Sequence, residues 1–242
     1  MNLILLHPDE VKNNRTVLTD ARAKHIRKVL KAAPGKSLRV GVVNGPLGHG
    51  VVERIDSEDV ELVCSFEKSL PARPKVDLLL AMPRPKVLKR LWAQFAALGV
   101  GKIVLLRAGK VERCYFDSHV IEPDFYVNLL LEGLQQARCT HLPEVQIEPL
   151  FKPYIEDRFA NDFSEHWKLL ADPSGKKRIR DFQCPDGAQR TVLAVGPEGG
   201  WTDYELEMLR GKGFALLGMG DRILRTDTAV VGLLSLLHEW AE

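Results

Sequence analysis

The chain has 242 residues, 45% of them apolar and 27% charged, with a formal net charge of +2. That describes an ordinary soluble protein with a real core, in one large domain or two smaller ones. No stretch is long and apolar enough to span a bilayer, and the apolar run at residues 3–6 is too short for a signal sequence. Cys64, Cys114, Cys139 and Cys184 are far apart and form no C-x-x-C pair, which argues against a zinc site and for a reducing compartment. The expectation is a cytoplasmic protein with no metal and no membrane partner.

The first 40 residues hold nine Lys/Arg against three acids, a bias that hints at an anionic partner. Residues 19–32, TDARAKHIRKVLKA, have helical spacing. Ile26, Val29, Leu30 and Ala33 fall on one side; Lys24, Arg27, Lys28 and Lys31 fall on the other, with His25 beside them. Two readings stand: a solvated amphipathic helix, or a face that tracks phosphates. Residues 38–43 and 50–55 read as strands flanking the turn-rich NGPLGHG. In 60–66, Val60, Leu62, Cys64 and Phe66 alternate onto one face. Short strands with tight turns in about 70 residues imply a small barrel. Residues 69–77, SLPARPKVD, carry Pro71 and Pro74 and no periodicity, so the predicted domains are 1–70 and 74–242.

Beyond that boundary the texture changes. VDLLLAM (76–82) is a continuous apolar strand, PRPK is a loop, VLKRLWAQFAAL (87–98) is a helix ended by Gly99, and KIVLLRA (102–108) is a second apolar strand. This is a β-α-β unit, hence a parallel sheet covered on both faces. The alternation continues with a helix at 123–138, a strand at 144–148, a weak helix at 153–163 and strands at 168–172 and 191–195. A helix at 202–212, a short strand at 214–217 and a last helix at 227–240 complete it. Val230, Leu233, Leu234 and Leu237 repeat along that last helix, which means core or a subunit interface.

Two turns stand out. In VLAVGPEGGWTDYELE (192–207) a strand runs into a helix through Gly196, Pro197, Glu198, Gly199 and Gly200. Thr202 and Glu205 form a capping box, and Trp201 and Leu206 sit where a hydrophobic staple would put them. The cap does not need the glycines. They fit either a ligand held close to the backbone at a strand's carboxyl end or a generic tight turn. Neither a P-loop nor a G-x-G-x-x-G spacing is present. In LLGMGDRILRTDTAVVGLL (216–234), Gly218 and Gly220 end a strand, and apolar Ile223 and Leu224 lie in a connection between Arg222 and Arg225. Thr226 can cap the helix that follows, with Asp227 in its first turn.

The pair VGPEGGWTDYELE and LGMGDRILRTDTA resembles the SPOUT (knotted) RNA methyltransferases, and most closely the family that methylates N3 of a uridine in small-subunit ribosomal RNA. The resemblance covers most of the chain. It implies a PUA-like β-barrel that binds RNA, followed by an α/β domain with a parallel sheet and a C-terminal trefoil knot, in a homodimer. It implies S-adenosylmethionine as cofactor, held by Leu170, Ala171, Gly196, Pro197, Glu198, Gly199, Gly200, Leu217, Gly218, Ile223, Leu224 and Arg225. Candidate RNA contacts are Arg22, Lys24, His25, Arg27, Lys28, Lys31, Arg84 and Arg138. The departures are local. Asp227 stands for the family's glutamate, and QFAALGV (94–100) stands where the family reads K-A-T-E-L-G-V, with Ala97 in place of its glutamate. Cys114 replaces the serine of E-R-S, and Cys139 takes the expected arginine's place, with Arg138 one position earlier.

The implied reaction moves a methyl group to uridine N3, which must lose its proton. Arg225 and Arg113 are candidates for stabilising the developing negative charge, with Arg138 a weaker one. Glu198 either accepts the proton or fixes the loop. Three alternatives remain open at this level: the same chemistry on another RNA such as tRNA, a degenerate RNA-binding protein, and an enzyme acting on a small anionic substrate.

Overall fold

The computed structural model describes residues 3–183 and 190–241. The chain divides into two compact units, Met1–Arg73 with Leu131–Leu142, and Pro74–Leu130 with Pro143–Glu242. The division falls in the proline stretch at 69–77. Residues Leu131–Leu142 join the first unit through specific bonds. Asn44 N donates to Thr140 O at 2.7 Å and Leu142 N donates to Asn44 Oδ1 at 2.9 Å, while Thr140 Oγ1 donates to Gly45 O at 2.7 Å.

The first unit contains β1 (Ile4–Leu6), β2 (Arg15–Leu18), α1 (Ala21–Lys28), β3 (Ser37–Val42), β4 (Leu47–Ile55) and β5 (Val60–Phe66). The strands form one sheet in the order β1-β3-β4-β5-β2, with β1 parallel to β3 and the other pairs antiparallel. Among the described residues no pairing joins β1 to β2, so the hydrogen-bonded ladder is not closed. The alternation read at 60–66 holds, with Val60, Leu62 and Cys64 in the core beside Ile4, Leu6 and Val40. Burial pushes the Cys64 thiol pKa up, which makes it a poor nucleophile. Cys114 and Cys139 are also free thiols, and Cys184 lies outside the described residues.

The helix expected at 19–32 is shorter. α1 stops at Lys28, and its N-cap Asp20 accepts from Arg22 N. Only Ala23 and Ile26 of this helix are in the core; Val29 is 64% exposed, and Leu30 and Ala33 are exposed too. Lys31 takes a left-handed φ of 46° and Pro34 follows, so the chain leaves the helix before the second half of the predicted apolar face can form. β1 and β2 were not predicted.

The second unit follows the predicted alternation. Its elements are β6 (Val76–Ala81), α2 (Pro85–Ala97), β7 (Val100–Leu106), α3 (Pro123–Ala137, whose last residues belong to the first unit) and β8 (Glu144–Glu148). Next come α4 (Phe151–Pro153), a π-helical turn (Tyr154–Arg158), α5 (Phe159–Phe163), β9 (His166–Ala171) and β10 (Arg190–Val195). The series ends with α6 (Asp203–Gly211), β11 (Ala215–Leu217) and α7 (Thr226–Ala241). The six strands are parallel in the order β11-β9-β10-β6-β7-β8. The residues of β6 are fully buried and those of β10 nearly so, which is why both read as continuous apolar runs. The weak helix at 153–163 is helical from 151 onward, with the π turn in its middle.

A carboxylate sits inside this apolar sheet. Asp77, 2% exposed, accepts from Lys102 N at 2.6 Å, from Arg190 Nε at 2.9 Å and pairs with His166 Nε2 at 2.7 Å; Arg190 Nη2 also reaches it. Burial alone would raise its pKa, but the bonds from His166 and Arg190 outweigh that and hold it below the ordinary aspartate value. A depressed folded-state pKa contributes stability above the unfolded pKa, and that stability is lost as pH falls through the folded value. Asp77→Ala should cost about 3 kcal/mol by leaving the half-buried Arg190 and His166 without their partner. In urea titrations the gap between wild type and variant should narrow below about pH 4. An equal gap at pH 3 and pH 7 would refute this account.

Candidate active site

The carboxyl ends of β9, β10 and β11 meet the start of α7 around one cavity of about 310 Å³. That is within the range of small-ligand sites, and it lies where an open α/β sheet usually binds. Its walls are mainly apolar: Ala171, Val195, Leu217, Ile223, Leu224 and Leu233. Both turns singled out in the sequence line it, through Gly196, Pro197, Glu198, Gly200 and Trp201 on one side and Met219, Gly220, Arg222, Arg225 and Thr226 on the other.

The glycines of the first turn have different reasons. Gly200 takes a φ of +70°. A Cβ on Gly196 would stand 3.0 Å from Trp201 Nε1, so glycine lets the indole lie flat against the strand end. The cap is as predicted: Thr202 N donates to Glu205 Oε2 at 2.8 Å, and Glu205 N donates to Thr202 Oγ1 at 3.3 Å. Glu205 is buried and does more than cap, because its Oε1 accepts from Gly109 N at 2.6 Å. Lys110 Nζ then donates to Gly199 O at 2.9 Å and to Trp201 O at 3.3 Å. The loop after β7 thus holds the glycine turn by three bonds that the sequence reading missed.

Trp201 supplies the site's most informative atom. Its indole nitrogen is buried and has no hydrogen-bond partner among the described residues. A buried donor without an acceptor is costly unless a ligand supplies one. The ring packs on Phe151, with centroids 6.0 Å apart.

The structure brings together most, though not all, of the residues expected to hold a cofactor. Ala171, Gly196, Pro197, Glu198, Gly200, Leu217, Ile223, Leu224 and Arg225 line the cavity. Leu170 is fully buried behind it, the Gly199 carbonyl faces Lys110, and Gly218 packs against Gly175. Of the candidate catalytic groups, Arg225 and Glu198 line the cavity, whereas Arg113 sits on an exposed 3-10 turn, Arg113–Asp117, outside its lining. Glu198 Oε1 accepts from Arg84 N, the N-cap residue of α2, at 3.2 Å; this gives the acid a loop-fixing bond at a helix N-terminus. Asp227 pairs with Arg90 of α2 at 2.9 Å.

The expected RNA contacts are scattered in environment. Lys24, Lys28 and Lys31 are exposed. Arg22 is engaged internally: it donates to Leu5 O at 2.7 Å and pairs with Glu10 and Asp20. Arg27 makes long bonds of 3.4 Å to Ala23 O, Asp56 O and Glu58 O. His25 Nε2 is buried and unbonded among the described residues. Arg84 is exposed, and Arg138 takes a left-handed φ of 57° in the first unit. Among the described residues no group of three His, Cys, Asp or Glu could hold a metal, and no helix is long and apolar enough to cross a membrane.

A parallel α/β sheet with a cavity lined by two glycine-bearing loops at its carboxyl edge belongs to the class of α/β folds that hold small ligands at that edge. Residues 70–238 match the RNA methyltransferase domain model. A ribosomal RNA small subunit methyltransferase E of Treponema pallidum is 30% identical over 257 residues, covering 99% of this chain and 93% of the relative. Ribosomal RNA small subunit methyltransferase E 1 of Borreliella burgdorferi is 25% identical, covering 96% and 94%. The crystal structure of a ribosomal RNA small subunit methyltransferase E from Neisseria gonorrhoeae bound to S-adenosyl methionine superposes with a TM-score of 0.80 at 20% identity, covering 99% and 98%. The chain belongs to the RNA methyltransferase family, among the proteins named ribosomal RNA small subunit methyltransferase E.

Proposed function

We propose that this enzyme methylates small-subunit ribosomal RNA at N3 of a uridine, with S-adenosylmethionine as donor. The observation that carries the reading is the cavity itself, apolar walls around an orphaned Trp201 N–H at the meeting of the two predicted turns. These residues fit the donor. Leu217, Leu224 and Leu233 would cover its aromatic base, and Trp201 Nε1 and the backbone of the two turns would supply hydrogen bonds. When bound, the donor supplies a methyl group already activated on a sulfonium, so alignment is the protein's main task. Arg225, exposed at the cavity mouth, then stabilises the anion formed as N3 gives up its proton to solvent water. Glu198, held at the α2 N-terminus, keeps the glycine turn in place. The target base must leave its stack to enter.

The finer architecture belongs to the same reading. The five-stranded first unit is PUA-like. The segment after β11 is the knot: Asp172 N donates to Leu217 O at 3.1 Å and Gly218 N donates to Lys177 O at 2.8 Å, so the chain runs tightly past the loop that follows β9. Ile223 at 87% exposure and Leu236 at 42% are apolar surfaces that a second copy would cover in a homodimer. Ribosomal RNA as partner places the work in the cytoplasm.

Modified-base mapping of ribosomal RNA from a strain lacking the protein tests the substrate: one N3-methyluridine of the small subunit should disappear. Loss of a tRNA methylation instead would move the chemistry to another RNA. Trp201→Phe tests the cavity. The indole N–H bonds nothing in the fold but its ring is buried against Phe151, so the variant should stay folded, melt about 2–4 °C lower and bind S-adenosylmethionine roughly tenfold more weakly by calorimetry. Unchanged affinity would remove Trp201 from the donor site.

A further inference from the structure

We propose that a second recess, beside the donor cavity, receives the phosphodiester backbone of the RNA next to the nucleotide being methylated. This rests on the RNA methyltransferase reading above and adds where the strand is held. The recess has a volume of about 510 Å³ and shares Arg222 and Ile223 with the donor cavity. Its charged lining is Lys176, Arg178, Arg222 and Asp221, a local excess of two positive charges.

The residues come from two loops about 45 positions apart. The stretch SGKKRIR at 174–180 carries four cations. Two of them have other neighbours: Lys177 lies over the Phe182 ring at 5.5 Å, and Arg180 is 3.9 Å from Asp181. Lys176 and Arg178 line the recess. Among the described residues no carboxylate lies within ion-pair distance of Lys176, Arg178 or Arg222. Three cations gathered round one hollow with a single carboxylate in its lining, Asp221, repel one another, and an oxyanion relieves that.

The loop that presents them is fixed by its backbone. Gly175 N donates to Asp172 O at 3.0 Å, and Arg178 N donates to Asp181 Oδ2 at 2.8 Å. Ser174 N donates to Asp172 Oδ1 at 2.9 Å, and Lys177 O accepts from Gly218 N. The Arg178 guanidinium lies over Gly220, within 3.2 Å of where a Cβ would stand. A backbone held in place loses little freedom on binding, and a guanidinium matches a phosphate with two parallel bonds. A base turned out of its stack needs its flanking backbone held, and this recess opens beside the cavity that the base must reach.

The shared chemistry is an oxyanion, and the carboxylate of S-adenosylmethionine is the competing source. The test is Lys176→Ala/Arg178→Ala, assayed on small ribosomal subunits from a strain lacking the protein. KM for the subunits should rise about tenfold, and the slope of log affinity against log salt should fall by about 1.4, the value for two contacts to single-stranded RNA. The Kd for S-adenosylmethionine and kcat should stay within about twofold of wild type, and Lys176→Arg with Arg178 kept should hold the wild-type KM and slope. Unchanged RNA KM and salt slope overturn the proposal. So does weaker S-adenosylmethionine binding with an unchanged slope, which would assign the recess to the donor's carboxylate. If the double variant fails to fold, Lys176→Gln carries the same test with half the change in slope. A wild-type protein inert on every RNA refutes the underlying reading, and the proposal with it.

Discussion

Arg225→Ala should leave the donor bound and stop methyl transfer. The side chain is exposed, lines the donor cavity and has no ion-pair partner among the described residues, while its backbone O accepts from Ala229 N at 2.8 Å in the first turn of α7. Removing the guanidinium therefore takes nothing from the fold. Under the proposed function, what is lost is a positive charge beside the position where the uracil anion would form, and the deletion of one such donor typically lowers kcat by about 10²–10³. The expected result is a melting curve within about 2 °C of wild type and a donor Kd within a few fold. Single-turnover methylation should be at least a hundredfold slower. If turnover survives, Arg225 has no part in the chemistry.

Gly218→Ala should disturb both the fold and the donor cavity. A Cβ there would lie 1.9 Å from Gly175 O and 2.8 Å from Gly175 C, and both are backbone atoms that cannot swing aside as a side chain tip does. The neighbouring bonds, Asp172 N to Leu217 O and Gly218 N to Lys177 O, tie the same two segments together. One methyl group therefore pushes apart the end of β11 and the loop after β9. The cost should be roughly 3 kcal/mol or more, with loss of donor binding, because Leu217 and Met219 on either side line the cavity. Gly211→Ala is the control: nothing lies within 4 Å of its Cβ, and its stability should change by less than about 1 kcal/mol. Equal melting temperatures for the two variants would show that the crossing is looser than the structure has it.

The sequence was legible where burial is complete. Parallel strands covered on both faces read as unbroken apolar runs, and β6, β7 and β10 were placed to within a few residues for that reason. The first unit was harder. β1 is three residues long and pairs with β3, in the register Ile4↔Val40, so its only local signal was a short apolar run. β2 buries just Thr16 and Leu18, too few for an alternation to show. In α1 the periodicity of Val29 and Leu30 was real, but the left-handed turn at Lys31 decided the outcome.

The same division holds at the site. Glycines beside strand ends mark both cavity loops in the sequence alone. The Glu205 bond to Gly109 and the Lys110 clamp on Gly199 join segments about 90 positions apart, and no spacing rule connects them. Trp201 was read as a staple because its place before the cap explains it fully; only the orphaned nitrogen reveals a second use. The basic run at 174–180 drew no reading from the sequence, because its meaning depends on Arg222 arriving from another loop.

The strand order has a consequence for a chain still being synthesised. β6, β7 and β8 are complete by residue 148, yet β10, which covers the open edge of β6, begins at residue 190. Until then a strand apolar but for one residue waits with an unpaired rim, the kind of surface on which nascent chains stick to one another. Asp77 is the single charge in that strand, and it discourages a stranger from docking there. Its partners His166 and Arg190 arrive on β9 and β10, the two strands added beyond that edge, so the guard is neutralised only by the strands it was keeping the place for.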